Sequence, residues 1–342
     1  KITMDFFLRC PTSFYNRPFL FGLRIFGGIK WEIILILRRR LDMINRIRLL
    51  YKSLTGEIST LKSIGILMRT SIGYISSIFS IAVLMNDLAG IDIFETWIKL
   101  NCIKFVIYCL FFSCIINRQK LKYCKKVSNC DMQVEISIKD IFSNWSANSF
   151  IIPTNTFFRT KMDDEYVSPR SVQGRFQLKY FNKKTEYLNK LISENLRKQG
   201  IVGKKSKDCF GETMQYPIGT VVKINYKRKH FYFVAINDVN EYGKPTGQTI
   251  ENVSVCLNSI INTIQKIGHC DTLCIPLIGS GKAAIQEATK ERVFQKTVDC
   301  FIQSKDKIVN KLIISISPTD YINGNIDLKR IKSYLDYKCE FK

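Results

Sequence analysis

The sequence predicts an α/β domain in its C-terminal part, preceded by an α-helical transmembrane hairpin, and three observations carry that reading. From Gln133 onward, short apolar runs alternate with helical patterns. Two of those runs, Phe150–Pro153 and Leu273–Ile278, stop in loops of small polar residues. Upstream lie two apolar stretches of about 20 residues with basic residues on their outer sides. The 342 residues suggest two or three units, and 46% hydrophobic with 24% charged residues describes a chain with a packed core rather than a disordered one.

Residues 1–62 read as a basic, partly amphipathic extension. Trp31–Tyr51 sets Arg38, Arg39, Arg40, Arg46 and Arg48 among leucines and isoleucines, which suits an anionic membrane surface and equally suits a helix packed on the hairpin. Residues 63–130 read as the hairpin. Ser71–Gly90 carries one charge, Asp87, and Ile98–Asn117 carries only Lys99 and Lys104. Each is long enough to cross a ~30 Å hydrocarbon layer as a helix, with the lysines reaching toward the headgroups. Lys62 and Arg69 precede the pair, Arg118, Lys120, Lys122, Lys125 and Lys126 follow it, and Asp87, Asp92 and Glu95 sit at the connection. The positive-inside rule then places both ends in the cytoplasm and Trp97 at the outer interface. A soluble hairpin buried in a core or a dimer has a similar composition; length and charge asymmetry together favour insertion.

Residues 131–342 read as the α/β domain. Strands are expected at Gln133–Ile138, Phe150–Pro153, Thr220–Asn225, Phe231–Asn237, Leu273–Ile278 and Leu312–Ser317, with Pro318 closing the last. Helices are expected at Asn182–Gln199, Ile250–Ile267, Ala283–Gln303 and Asp327–Tyr337. The turn between Tyr226 and Phe231 joins two antiparallel neighbours.

The loop after Leu273–Ile278 reads Gly279-Ser280-Gly281-Lys282-Ala283 and leads into a helical stripe of Ile285, Ala288, Val293 and Val298. Glycines there let backbone N–H groups crowd an anion at a helix N-terminus, although Gly-Ser-Gly is also an ordinary strand-to-helix turn. No Ser or Thr follows Lys282 and no four-residue spacer opens the loop, so a metal-bound nucleoside triphosphate is disfavoured. The other strand ends in Thr154-Asn155-Thr156, followed by Lys161–Glu165 and by Ser168-Pro169-Arg170-Ser171-Val172-Gln173-Gly174. Ligands of open α/β sheets sit beyond the carboxyl ends of strands, so two such loops on one edge make one crevice.

Ile-Pro-Thr-Asn-Thr followed by a long loop, and later Ile-Pro-Leu-Ile-Gly-Ser-Gly-Lys-Ala, resembles the macro domain over residues 131–342. That resemblance implies a three-layer α/β/α fold whose two loops grip the diphosphate and distal ribose of ADP-ribose. The first loop departs from the family's Asn-Ala-Ala-Asn, and no second asparagine stands where a hydrolytic macro domain carries one, which weighs against de-ADP-ribosylation. On the resemblance, Asn155 and Thr156 hold the distal ribose or its adduct, the amides of Gly279, Ser280 and Gly281 take the diphosphate, Lys282 adds charge, and Arg170, Ser171 and Gln173 read the conjugated group. Thr154, Asp163, Ile278 and Ala283 complete the ligand set. A membrane hairpin ahead of such a domain resembles the membrane effectors of type II Thoeris anti-phage defence. This implies a two-pass protein of the bacterial inner membrane with a cytoplasmic macro domain. A TIR-domain partner enzyme makes the ADP-ribose signal, histidine-ADP-ribose, and the bound effector forms a homo-oligomer that disrupts the membrane. The basic extension is outside that pattern.

Other chemistries have less material. Twelve cysteines include no Cys-x-x-Cys pair, so no metal site is expected and the thiols are read as reduced packing groups. His230 and His269 are the only histidines, and both read as surface residues. Asp163, Asp164 and Glu165 are the only plausible catalysts, and they equally begin a helix or contact the ligand. A ligand-sensing effector without catalytic residues or cofactor is therefore expected, with a membrane-tethered ADP-ribosyl hydrolase as the alternative. The net charge of +23 also admits a membrane-anchored nucleic-acid binder, but no basic and aromatic array marks one sheet face, so nucleic acid is not the expected partner.

Overall fold

In the computed structural model the described residues are 43–54, 61–90, 93–128, 130–162, 167–182, 184–208, 211–240, 245–267, 270–279, 288–304 and 308–341. The chain divides into two compact units, Lys1–Arg48 and Leu49–Lys342. Of the first, residues 43–48 are helical, and residues 1–42 lie outside the described residues. The second opens with helix α1 (residues 49–54).

Three helices follow: α2 (Leu61–Ala89), α3 (Ile93–Leu100) and α4 (Cys102–Ile116). The stretch Ile64–Ala89 of α2 is long and apolar enough to cross a membrane by length and composition. The second expected span, Ile98–Asn117, is not one helix. It breaks at Asn101, which lies between α3 and α4 with φ −120° and ψ 31°, while its backbone N–H and its Nδ2 both donate to the Trp97 carbonyl, at 3.0 and 3.1 Å. The 15 residues of α4 reach about 23 Å, short of a ~30 Å hydrocarbon layer. Ala82, Ile98, Phe105 and Cys109 form the seam between these helices, and Asn117 Nδ2 donates to Thr70 Oγ1 at 2.8 Å. Beyond the seam, Ile72, Ile81, Leu84, Ile107, Phe111 and Phe112 are exposed.

The strands downstream are β1 (Lys122–Lys126), β2 (Gln133–Ile138), β3 (Ser149–Asn155), β4 (Lys204–Asp208), β5 (Gly211–Gln215), β6 (Val221–Tyr226), β7 (Lys229–Val239), β8 (Pro245–Thr246), β9 (Cys270–Pro276) and β10 (Val309–Ile316). The helices are α5 (Val172–Phe176), α6 (Thr185–Lys198), α7 (Ile250–Ile267), α8 (Lys290–Gln303), α9 (Pro318–Ile322) and α10 (Leu328–Glu340). One sheet runs β1-β2-β10-β9-β3-β7-β6, with β8 on the end of β7, and β4 and β5 form a separate ribbon. The strands from β2 to β7 in that order are parallel, while β1 and β6 pair antiparallel at the flanks.

Period-two alternation sends side chains to two cores. Along β7, Tyr232, Val234 and Ile236 face one side with Leu257 and Ile260 of α7, Phe294 of α8 and Leu335 of α10. Phe231, Phe233 and Ala235 face the other, with Phe176 of α5 and Leu188 of α6. These are the expected three layers. The Tyr226–Phe231 turn is a two-residue hairpin loop with Lys227 at φ 48° and Arg228 at φ 59°, the left-handed pair that matches strand twist.

Two elements differ from expectation. The basic flank Lys122–Lys126 is the edge strand β1, in which Tyr123 donates to Asp336 at 2.5 Å and Lys125 pairs with Glu340 at 2.7 Å; lysines on an edge deter further strand pairing. The described part of the helix expected over Ala283–Gln303 is α8, and residues 280–287 lie outside the described residues. Thr289 is extended and its hydroxyl accepts from Arg292 N–H, so α8 starts at Lys290, and Ala288 precedes the helix.

Phe176 is fully buried, with its ring 4.7 Å from Phe231, 5.2 Å from Phe233 and 5.3 Å from Phe181. Phe176→Ala should lower unfolding free energy by about 3–5 kcal/mol, measured by urea denaturation; a loss below about 1 kcal/mol would mean that this aromatic layer is not a packed core.

Candidate functional site

Strands β3 and β9 pair only at Ser149–Leu273 and Phe150–Cys274. Beyond those two rungs β3 continues against β7 and β9 against β10, and the space between their carboxyl ends becomes a cleft of about 500 Å³. Loops after β2, β3, β9 and β10 converge there, the position at which open α/β sheets accept ligands.

The structure brings six of the expected residues to this cleft: Thr154, Asn155, Arg170, Ser171, Gln173 and Gly279. Thr154 is 4% exposed and its hydroxyl has no hydrogen-bond partner among the described residues, a cost that an incoming donor or acceptor would offset. The Asn155 side-chain oxygen accepts from Phe157 N–H at 3.1 Å and Arg159 N–H at 3.3 Å, so it shapes its own loop and leaves the amide nitrogen for other work. Ser171 caps α5: its hydroxyl accepts from Gly174 N–H at 3.0 Å and donates to the Ser168 carbonyl at 2.7 Å. Gln173 donates to the Arg159 carbonyl at 2.7 Å, tying the two halves of the long loop together. A Cβ on Gly174 would stand 2.2 Å from the Ser168 carbonyl oxygen, so only glycine lets the loop fold this closely over α5.

Two expected residues are not in the cleft wall. Thr156 is 1% exposed and gives its hydroxyl to Asp238, which also accepts from Gln215 at 2.6 Å; the register shift between Thr154 and Asn155 breaks the alternation that would otherwise set it on the side of Thr154. Ile278 is 1% exposed and belongs to the apolar core. Asp163, Ser280, Gly281, Lys282 and Ala283 lie outside the described residues, as do Asp164, Glu165 and His269. Gly279 has φ 76°, a left-handed conformation that glycine adopts without strain.

Several lining residues escaped the sequence reading. Lys139 and Arg175 join Arg170 on the rim, and Arg175 pairs with Asp140, whose other oxygen accepts from Phe142 N–H at 2.8 Å. Ser315, Ser317, Thr319 and Asp320 complete the wall beside β10. Asp320 pairs with Lys290 at 2.5 Å. The polar tail Ser315-Ile316-Ser317-Pro318-Thr319-Asp320 has the same form as the ends of β3 and β9, and a third strand ending in small polar residues was the signal available.

Candidate nucleophiles are poor. Burial drives the Cys274 thiol far above its usual range and raises Cys256 from 9.0 to about 12. His230 hydrogen-bonds Asn225 at 2.7 Å at the opposite end of β3, and burial, then Lys223, lowers its pKa. A thiol held protonated by the fold contributes stability that is complete below pH 9 and is lost as pH rises toward 12. Thermal melting should therefore be level up to about pH 8.5 and fall between roughly pH 9 and 12. At pH 8.5 a maleimide should label Cys124, which is exposed, before Cys256 or Cys274; prompt labelling of Cys274 in the folded protein would contradict this packing.

The family model described as Thoeris protein ThsA, Macro domain matches residues 134–317. Thoeris protein ThsA of Bacillus amyloliquefaciens (strain Y2) is 26% identical over 151 residues, 44% of this chain and 49% of that protein. The chain thus spans about half the length of the curated relative it matches. Among solved structures, an Oceanobacillus iheyensis macrodomain with ADP is 12% identical with a TM-score of 0.42, covering 64% of this chain and 96% of that one. A Trypanosoma brucei macrodomain in complex with ADP-ribose is 9% identical with a TM-score of 0.37, covering 56% and 67%. With more than half of its residues inside the family match, the chain belongs to the Thoeris ThsA macro-domain family.

Proposed function

We propose that the cleft between β3 and β9 binds an ADP-ribose-type nucleotide and that the chain is a membrane-anchored receptor and effector of Thoeris-type anti-phage defence. The observation that carries the binding reading is the parting of those strands around the buried, unpartnered hydroxyl of Thr154, with the left-handed Gly279 opposite. Thr154 and the Asn155 amide nitrogen serve the distal ribose or its adduct. Amides beyond Gly279 take the diphosphate, with Ser280, Gly281 and Lys282 as its remaining partners, and Lys139, Arg170 and Arg175 supply positive potential at the rim. Gln173 and Ser171 position the loop that covers the conjugated group.

The membrane part of the reading is supported by Ile64–Ala89 and by apolar side chains left exposed around the helical hairpin. A two-pass arrangement uses α2 for one crossing and α3 with α4 for the other, with both ends and the macro domain in the cytoplasm. The signal, histidine-ADP-ribose, comes from a TIR-domain enzyme, and the occupied receptor assembles into a homo-oligomer that damages the inner membrane. Catalysis is not part of the proposal: the Asn155 oxygen is committed to its loop, and an ADP-ribosyl hydrolase would need a positioned general base.

Calorimetric titration of residues 118–342, which include β1, with ADP-ribose, histidine-ADP-ribose and NAD tests this directly when the ligand is recovered and chromatographed afterwards. A conjugate bound tightly and recovered intact is expected. A cleaved ligand would establish the hydrolase, and binding of DNA or RNA with a steep salt dependence in place of the nucleotide would establish the nucleic-acid binder. Gly279→Val, strained at φ 76°, should weaken binding by at least about tenfold, and Thr154→Val by about fivefold, with the domain still folded.

A further inference from the structure

Helix α9 has the ligand cleft on one side and the attachment of the helical hairpin on the other. Ser317, Thr319 and Asp320 line the cleft. The next residue, Tyr321, is 3% exposed and donates its hydroxyl to the side-chain oxygen of Gln119, which is 6% exposed and lies between α4 and β1. The Gln119 N–H donates to the Ser53 carbonyl at 2.8 Å. Lys52 Nζ donates to the Ile322 carbonyl at 2.9 Å and stands 5.1 Å from the centre of the Tyr321 ring. Residues 52 and 53 precede α2 and Gln119 follows α4, so both ends of the hairpin are fastened to one short helix. That helix is also held from the cleft side, by Asp320 paired with Lys290 at 2.5 Å, both side chains being mostly buried.

We propose that the clasp formed by Tyr321, Gln119, Ser53 and Lys52 holds the hairpin in its resting arrangement, and that an anionic ligand in the cleft loosens it by competing with Asp320 for the Lys290 ammonium. This rests on the reading that the cleft takes a nucleotide and the hairpin is the effector. A ligand shifts such an equilibrium only by its preference for one state. Coupling is reciprocal, so a change that releases the clasp raises ligand affinity just as ligand releases the clasp. Helix α9 is a compact route for that coupling, a short helix held by polar contacts on both sides, and it needs no motion of the sheet.

The test uses the full chain reconstituted in phosphatidylethanolamine and phosphatidylglycerol vesicles, with dye release, cross-linked oligomer size and ADP-ribose affinity as readouts. Tyr321→Phe keeps the ring and removes the bond to Gln119; Lys52→Met keeps the stem and removes the bond to Ile322. Both should release dye and form oligomers without nucleotide, and both should bind ADP-ribose at least about fivefold more tightly than the parent. Tyr334→Phe, which removes a hydroxyl bond to Asp299 on the far side of α10, should behave as the parent. Clasp variants with the parent's basal release and affinity, including no release from any of them, overturn the proposal, as does an equal effect of Tyr334→Phe. If ADP-ribose binds none of the proteins while Tyr321→Phe alone raises basal release and assembly, the nucleotide reading fails and the clasp stands.

Discussion

The structure depends on the point at which β3 and β9 stop pairing. Two rungs, at Ser149 and Phe150, hold the centre of the sheet together; after them each strand keeps a partner on its outer side only. The inner edges are left to line a cavity, and polar groups in that wall need partners from outside the sheet. The strands stay in place because both layers clamp them where they are still paired: Phe150 stacks on Phe231 below, with centroids 5.6 Å apart, and Leu273 is fully buried on the other face. A rigid base and an open top give a site that is built before any ligand arrives.

The same edge of the sheet receives the hairpin. β1 runs antiparallel to β2, with Lys122 opposite Ser137 near the carboxyl end of β2, so the chain leaving α4 reaches the domain on the cleft side. β10 also ends there and turns at once into α9. Ligand wall and hairpin attachment therefore meet on one short helix, α9, because the strand directions bring both to that end of the sheet. Hydrogen bonds of this kind are worth about 1 kcal/mol each, small enough for the release proposed for the clasp.

Helix α7 and strand β2 were legible to the residue, since Ile250–Ile267 has an unbroken apolar stripe and Gln133–Ile138 alternates cleanly. The cleft was legible as two polar strand ends, but Thr156 was assigned to it because sequence adjacency to Asn155 says nothing about which way a strand's side chain points after a register shift between Thr154 and Asn155. β1 went unread because a run of lysines resembles a membrane flank as much as an edge strand. Lys290 and Asp320 stand 30 residues apart, and only folding makes them a pair.

Periodicity, the glycine of the second loop and the proline-terminated apolar runs determined by themselves that this chain builds an α/β domain with polar strand ends on one edge, for those are local requirements of backbone and burial. Which side chains line that edge, where α8 begins, and how both ends of the hairpin come to rest on α9 were decided by the tertiary structure. Each is set by strand order and register, which join residues distant in sequence and leave no local pattern to read.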